Sequence, residues 1–146
     1  MGTDNPVAVV QRMLKAFEDR DLDRLVETVH PDSRWTYVGA NPRPAKGVYV
    51  GPDGVRKFFS NILRNLTITI FHPNEFITDG DTVVLIGFEL GTVNATGNSF
   101  RNEWAQKYVV HDGLITEMEE YNVQVDPTAY ERSKPASFDG PTMKLQ

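Results

Sequence analysis

Two glutamates stand apart from the other acids of this chain because of what flanks them. In LITEMEEYNV a strand's alternation puts Leu114, Thr116, Met118, Glu120 and Asn122 on one face, where Glu120 is the only charge. In TVVLIGFELGTV the only charge is Glu89, and its neighbours on the same face are Gly87 and Gly91. Glycine inside a strand marks a bulge, a bend or a close approach. An acid between two missing side chains is expected to look into a cavity; the other reading is a bulge with Glu89 turned to solvent. Two carboxylates in different surroundings supply an acid and a base at one pH. If Glu120 is buried beside aromatic rings, its pKa rises toward neutrality, where a general acid/base works.

The elements that must carry these acids are legible as strands. Asp112-Gly113 between two alternating runs predicts a hairpin. Its first arm has Phe100, Asn102, Trp104, Gln106, Tyr108 and Val110 on one face, and Arg101, Glu103, Ala105, Lys107 and Val109 on the other. Rings mixed with a few fixed polar groups are what lines a small-molecule pocket, so the first set is expected to face inward and the charged set to face water or a partner. If successive strands pair antiparallel, this arm lies between those of Glu89 and Glu120 and sets the acids about 10 Å apart. Upstream, SRWTYV predicts a strand with Trp35 and Tyr37 on one face, followed by a Gly/Pro-rich loop over 39–47 and a short strand over 48–50. Strands are also expected over 66–77 and 82–93.

Helical spacing appears only in the first half. Val7, Val10, Leu14 and Phe17 follow a cap at Asp4 or Asn5 with Pro6 in the first turn. Asp21 caps a short second helix expected to end at His30-Pro31. Gly51-Pro52-Asp53-Gly54 leads into a third helix carrying Val55, Phe58, Phe59, Ile62 and Leu63. Helices followed by a run of antiparallel strands is an α+β plan. The 146 residues read as one domain with a core over about 6–126, and 127–146 as an extended tail or an arm that wraps a partner.

Composition narrows the chemistry. The chain has no cysteine, which rules out disulfides, thiolate catalysis and cysteine-ligated metals. A net charge of −5 with scattered acids argues against nucleic acid. No metal site is expected from the spacing of His and acid residues, and no phosphate loop or dinucleotide fingerprint is present. The opening residues lack a signal-peptide build and no apolar run is long enough for a membrane helix, so a cytoplasmic protein without membrane contact is expected. His30 and His111 read as exposed, while His72, before Pro73, is expected at the rim of the sheet.

GVYVGPDGVRKFF together with NEWAQKYVVHDGLITEMEEYNV resembles the SnoaL-like branch of the NTF2-like superfamily. The resemblance covers about residues 6–126, and its most specific piece is the strand, Asp-Gly turn and I-T-E-x-x-E-Y. It implies a cone, a strongly curved mixed sheet closed round a pocket by three helices, and a homodimer packed through the outer sheet face. The superfamily includes polyketide cyclases, ketosteroid isomerase, epoxide hydrolases of limonene type, dehydratases and non-catalytic binders. Against the epoxide hydrolases, Glu89 and Glu120 fall on the catalytic acid positions, Trp35 and Tyr37 on the water-holding positions, and Gly87 where an arginine is expected. Against the phenazine-type members, Glu120 matches the catalytic glutamate.

The resulting expectation is a cofactor-independent enzyme acting on an apolar carbonyl or polyketide-like molecule by isomerisation, cyclisation or dehydration. Glu120 is the general acid/base, with Glu89 as second acid. Tyr37, Asn102 and Gln106 hold the oxygen that gains charge. Trp35, Trp104, Met118 and Ile70 form apolar walls, with Asn122 and His72 also at the ligand. The alternatives are an epoxide hydrolase and a non-catalytic binding module.

Overall fold

The computed structural model describes residues 5–39 and 44–126, and the backbone of 143–144. It contains helices α1 (Pro6–Glu18), α2 (Leu22–Val26) and α3 (Gly51–Asn65). Its strands are β1 (Val29–Gly39), β2 (Gly47–Val50), β3 (Leu66–Asp79), β4 (Thr82–Val93), β5 (Ser99–His111), β6 (Leu114–Val125) and β7 (Met143–Lys144). All seven strands form one mixed sheet in the order β2-β1-β6-β5-β4-β3-β7. Only β1 and β6 run parallel. The architecture is the α+β cone expected. Apart from β7, the tail beginning at Pro127 lies outside the described residues.

Local chemistry sets the element ends. The Asn5 side chain accepts the Val7 N–H at 2.8 Å, and Pro6, which has no N–H to lose, opens α1. Asp21 accepts the Arg24 N–H at 3.1 Å and starts α2. That helix stops at Val26, short of His30-Pro31, and β1 begins at Val29. The β1–β6 ladder is interrupted between Val29 and Arg34, across Pro31, which has no N–H to donate. At the hairpin tip Asp112 (φ 52°) and Gly113 (φ 78°) are both left-handed, the pair a tight two-residue turn requires.

The three helices supply one wall of the core and the inner sheet face the other. Phe58 and Phe59 of α3 meet Trp35 edge-on at 6.3 and 5.6 Å between ring centres, and Phe17 of α1 meets Phe59 at 5.2 Å. Val9, Val10, Met13 and Leu14 bury the rest of the α1 face. Each such side chain contributes about 1.5–3 kcal/mol of burial, which holds the helices over the sheet. Among the described residues no helix is long and apolar enough to cross a membrane.

Three further irregularities bend the sheet and change which residues face inward. Strand β3 bulges between Ile68 and Ile70, beside Gly91, and again between Pro73 and Glu75, beside Gly87. A Cβ at Gly87 would collide with the His72 carbonyl, and one at Gly91 with the Thr67 carbonyl. These glycines are therefore places where the β3 backbone presses close, not openings beside Glu89. Glu89 nevertheless points inward and is buried, so the structure combines parts of both readings. The third irregularity, between Val109 and Val110, turns Ile115 into the core in place of Leu114.

On the outer face, Lys107 bridges Glu117 and Glu119 at 3.2 and 2.8 Å. Arg101 departs from the expected exposure. It is 5 % exposed, lies 4.0 Å above the Phe88 ring and is 3.3 Å from Glu103. Val38, Tyr121, Ala105 and Ile86 stand opposite one another across four strands. With Val123 they leave an exposed apolar band on this face.

Candidate active site

Between the inner sheet face and α1 and α3 lies a narrow cavity of ≈ 40 Å³, against the roughly 10–15 Å³ that one water needs. Its polar side comes from four strands: Tyr37 of β1, Glu120 and Asn122 of β6, Asn102 and Gln106 of β5, and Glu89 of β4. The register explains the convergence. Tyr37 is paired with Glu120 across the parallel junction, Glu120 with Gln106, and Asn102 with Glu89. Opposite stand Met13, Leu14, Phe17, Phe58, Phe59 and Ile62 from the helices, with Ile68 and Phe71 from β3. Among the described residues no lysine, arginine or histidine lines the cavity.

The amides serve the carboxylates. Gln106 Nε2 donates to Glu120 Oε1 at 3.1 Å and Asn122 Nδ2 to Glu120 Oε2 at 3.0 Å. The Tyr108 hydroxyl donates to Gln106 Oε1 at 2.8 Å, which turns the Gln106 nitrogen toward Glu120. Asn102 Nδ2 donates to Glu89 Oε2 at 2.9 Å. Asn102 and Gln106, expected to hold a substrate oxygen, thus spend an N–H on the acids. Asn102 Oδ1 is buried without a partner among the described residues.

Burial dominates the proton affinities. Desolvation raises Glu89 to about 8, helped by the charge of Glu120 and opposed by the Asn102 hydrogen bond. Desolvation raises Glu120 to about 7, opposed by the bonds from Asn122 and Gln106. Two donors on Glu120 against one on Glu89 make Glu120 the first to ionise, and its charge keeps the proton on Glu89. The pair therefore holds about one proton near neutrality. Burial, then the negative charges of Glu120 and Glu89, push the Tyr37 hydroxyl upward, so it remains a donor.

Of the residues singled out in the sequence, Trp35, Tyr37, Glu89, Asn102, Gln106, Met118, Glu120 and Asn122 line the cavity, whereas Ile70, His72 and Trp104 do not. The bulge after Ile68 reverses the alternation, so Phe71 turns inward and Ile70 away from the cavity. His72 packs on Phe88, on the face opposite Glu89. Trp104 is screened by Phe71, on which it stacks at 4.7 Å, and fills the space over Gly87. The helix side chains were visible in the sequence only as core positions, since 3.6-residue spacing does not tell a core contact from a cavity wall. Among the described residues no group of three or more His, Cys, Asp or Glu is disposed to hold a metal ion.

The sequence matches the SnoaL-like domain family model over residues 10–118. A comparison with curated proteins finds no significant match. An NTF2-like protein from Burkholderia xenovorans LB400 superposes with a TM-score of 0.73 at 24 % identity, over 92 % of this chain and 99 % of that one. An NTF2-like protein from Burkholderia pseudomallei K96243 gives 0.71 at 25 % identity, over 88 % and 96 %. A Mycobacterium tuberculosis protein solved with estradiol-17β-hemisuccinate gives 0.68 at 18 % identity, over 81 % and 94 %.

Proposed function

The chain belongs to the SnoaL-like domain family, and from that premise we propose that it is a small cofactor-independent enzyme that moves protons on an apolar carbonyl compound. The observation that carries this reading is the pair of buried carboxyls, Glu89 and Glu120, in a cavity with no basic residue among its described lining residues, where desolvation raises the proton affinity of both. Ionised Glu120 takes a proton from the carbon beside the carbonyl. The C–H electrons move into the carbonyl system, and the oxygen that gains charge is met by the Tyr37 hydroxyl and by protonated Glu89. Return of the proton from Glu120 to another carbon completes an isomerisation; attack by the carbanion on a second carbonyl, whose oxygen takes that proton, completes a cyclisation; departure of a neighbouring hydroxyl, which takes that proton and leaves as water, completes a dehydration. The mycobacterial protein is solved with a steroid whose apolar ring system, though it also carries a carboxyl arm, supports an apolar ligand body for this fold.

An epoxide-opening role finds less support. The position where the resemblance calls for an arginine is Gly87, and the His72 carbonyl occupies the space a side chain would need there. We also propose a homodimer. The apolar band of Val38, Tyr121, Ile86 and Val123 supplies the contact on the outer face, more than the charged set of β5 does.

Hydron exchange tests the reaction without knowledge of the natural substrate. A panel of enolisable cyclic ketones is incubated in deuterated buffer and α-hydrogen loss is followed by NMR. The expected result is accelerated exchange that disappears in Glu120→Gln. Exchange unaffected by that change would sink the assignment, and ligands that bind yet never exchange would favour the binding-module reading.

A further inference from the structure

The polar side of the cavity is unbalanced in two ways. Each of its three amide nitrogens already donates to a carboxylate, while Asn102 Oδ1 is buried with no donor to it among the described residues. A buried acceptor left without a donor is an unmet demand, since nearly all such groups in folded proteins are paired. Among the described residues the lining also carries two carboxyls and no lysine, arginine or histidine. An anionic ligand would add a further negative charge in a desolvated space with no counter-charge, which is strongly unfavourable. The facing wall is apolar and ring-rich, and the cavity is narrow.

We infer that the ligand of this cavity is a compact, uncharged molecule whose hydroxyl or N–H group donates to Asn102 Oδ1, and that carboxylates and phosphates are refused. This rests on the reading of the cavity as the reaction site and narrows its substrate class to carbonyl compounds that also carry a hydroxyl or N–H group. Asn102 then has two roles on one side chain. Its nitrogen holds Glu89 and its oxygen receives the substrate, which sets the substrate's donor beside the acid.

The test uses three probes with one body: benzyl alcohol, benzyl methyl ether and benzoate. Binding to the full chain is measured by calorimetry or ligand-observed NMR near pH 7.5. The alcohol is expected to bind about tenfold more tightly than the ether, which keeps the ring and loses the donor, and benzoate is expected to show no saturable binding. Asn102→Leu should erase the gap between alcohol and ether, with Asn102→Ala serving the same purpose if the leucine variant does not fold. Equal affinity of ether and alcohol for the unaltered protein overturns the donor requirement, benzoate binding as tightly as the alcohol overturns the charge rule, and no saturable binding by any probe overturns both. Glu120-dependent ketone exchange without an alcohol preference would sink this inference and leave the proposed reaction standing. An alcohol preference with no exchange on any ketone would do the reverse.

Discussion

Glu119 and Glu120 are consecutive on β6 and chemically identical, yet they occupy opposite faces of the sheet. Glu119 lies on the outer face, 2.8 Å from the Lys107 ammonium, with both side chains partly in water. Glu120 lies inside, held by two neutral amides and raised to about 7 by desolvation. The same division runs through β5, where Arg101, Glu103 and Lys107 pair with ions or rings outside, and Asn102 and Gln106 serve the acids inside. The contrast teaches that side-chain type alone does not set an acid's proton affinity here. Among the described residues the inner face offers amides, presents no cation and withholds water, so each carboxyl holds its proton more tightly than usual. The outer face offers both, so its charges are neutralised in place.

The largest effect should separate the two neighbours kinetically. Glu120→Gln is expected to lower hydron exchange by about 10²–10⁴-fold, whereas Glu119→Gln should stay within about twofold. Equal losses would mean that the inner position confers no special role.

Stability should separate the two faces next. A carboxyl whose folded pKa exceeds its unfolded value leaves the folded state holding the extra proton, so stability falls as pH rises between the two values. For Glu120 that window runs from 4.5 to about 7, and for Glu89 from 4.5 to about 8. At about 1.4 kcal/mol per unit, the unaltered protein should lose several kcal/mol between pH 5 and 9 from these two groups. Chemical denaturation across that range should show the slope, and Glu89→Gln should flatten it most. Glu119→Gln should change stability by no more than about 0.5 kcal/mol, as exposed ion pairs do. A flat profile in the unaltered protein would contradict burial of the acids.

The outer band gives the third contrast. Tyr121→Lys adds a charge beside Lys107 without touching the cavity. It is expected to convert a dimer to a monomer in sedimentation while leaving the carbon-13 titration of Glu120 unmoved. A monomer before substitution removes the proposed contact.

The smallest effect lies within the inner network. Gln106→Leu removes one of two donors from Glu120 and should raise its carboxyl titration by about one unit. Tyr108→Phe, which only frees the Gln106 amide to turn, should raise it by less. No movement in either variant would mean that the amides do not tune the acid.

Much of this arrangement was legible in the residues themselves. Asn5-Pro6 starts a helix and Asp112-Gly113 closes a hairpin because caps and turns are decided within a few residues. Alternation along β5 and the later part of β6 put Asn102, Gln106, Met118, Glu120 and Asn122 on one face, since a strand has no other period. A lone acid on that face was therefore identifiable before any long-range contact was known. Tertiary structure decided what periodicity cannot carry. Bulges in β3 and at the β5–β6 pairing reversed the parity that would have placed Ile70 and Leu114 inside, and put Phe71 and Ile115 there. The parallel β1–β6 junction brought Tyr37 beside Glu120 across more than eighty residues of chain. The amide orientations, the screening of Trp104 by Phe71 and the raised proton affinities of Glu89 and Glu120 all require four strands and two helices together. Desolvation belongs to the assembled cavity, and no single segment removes water from an acid by itself.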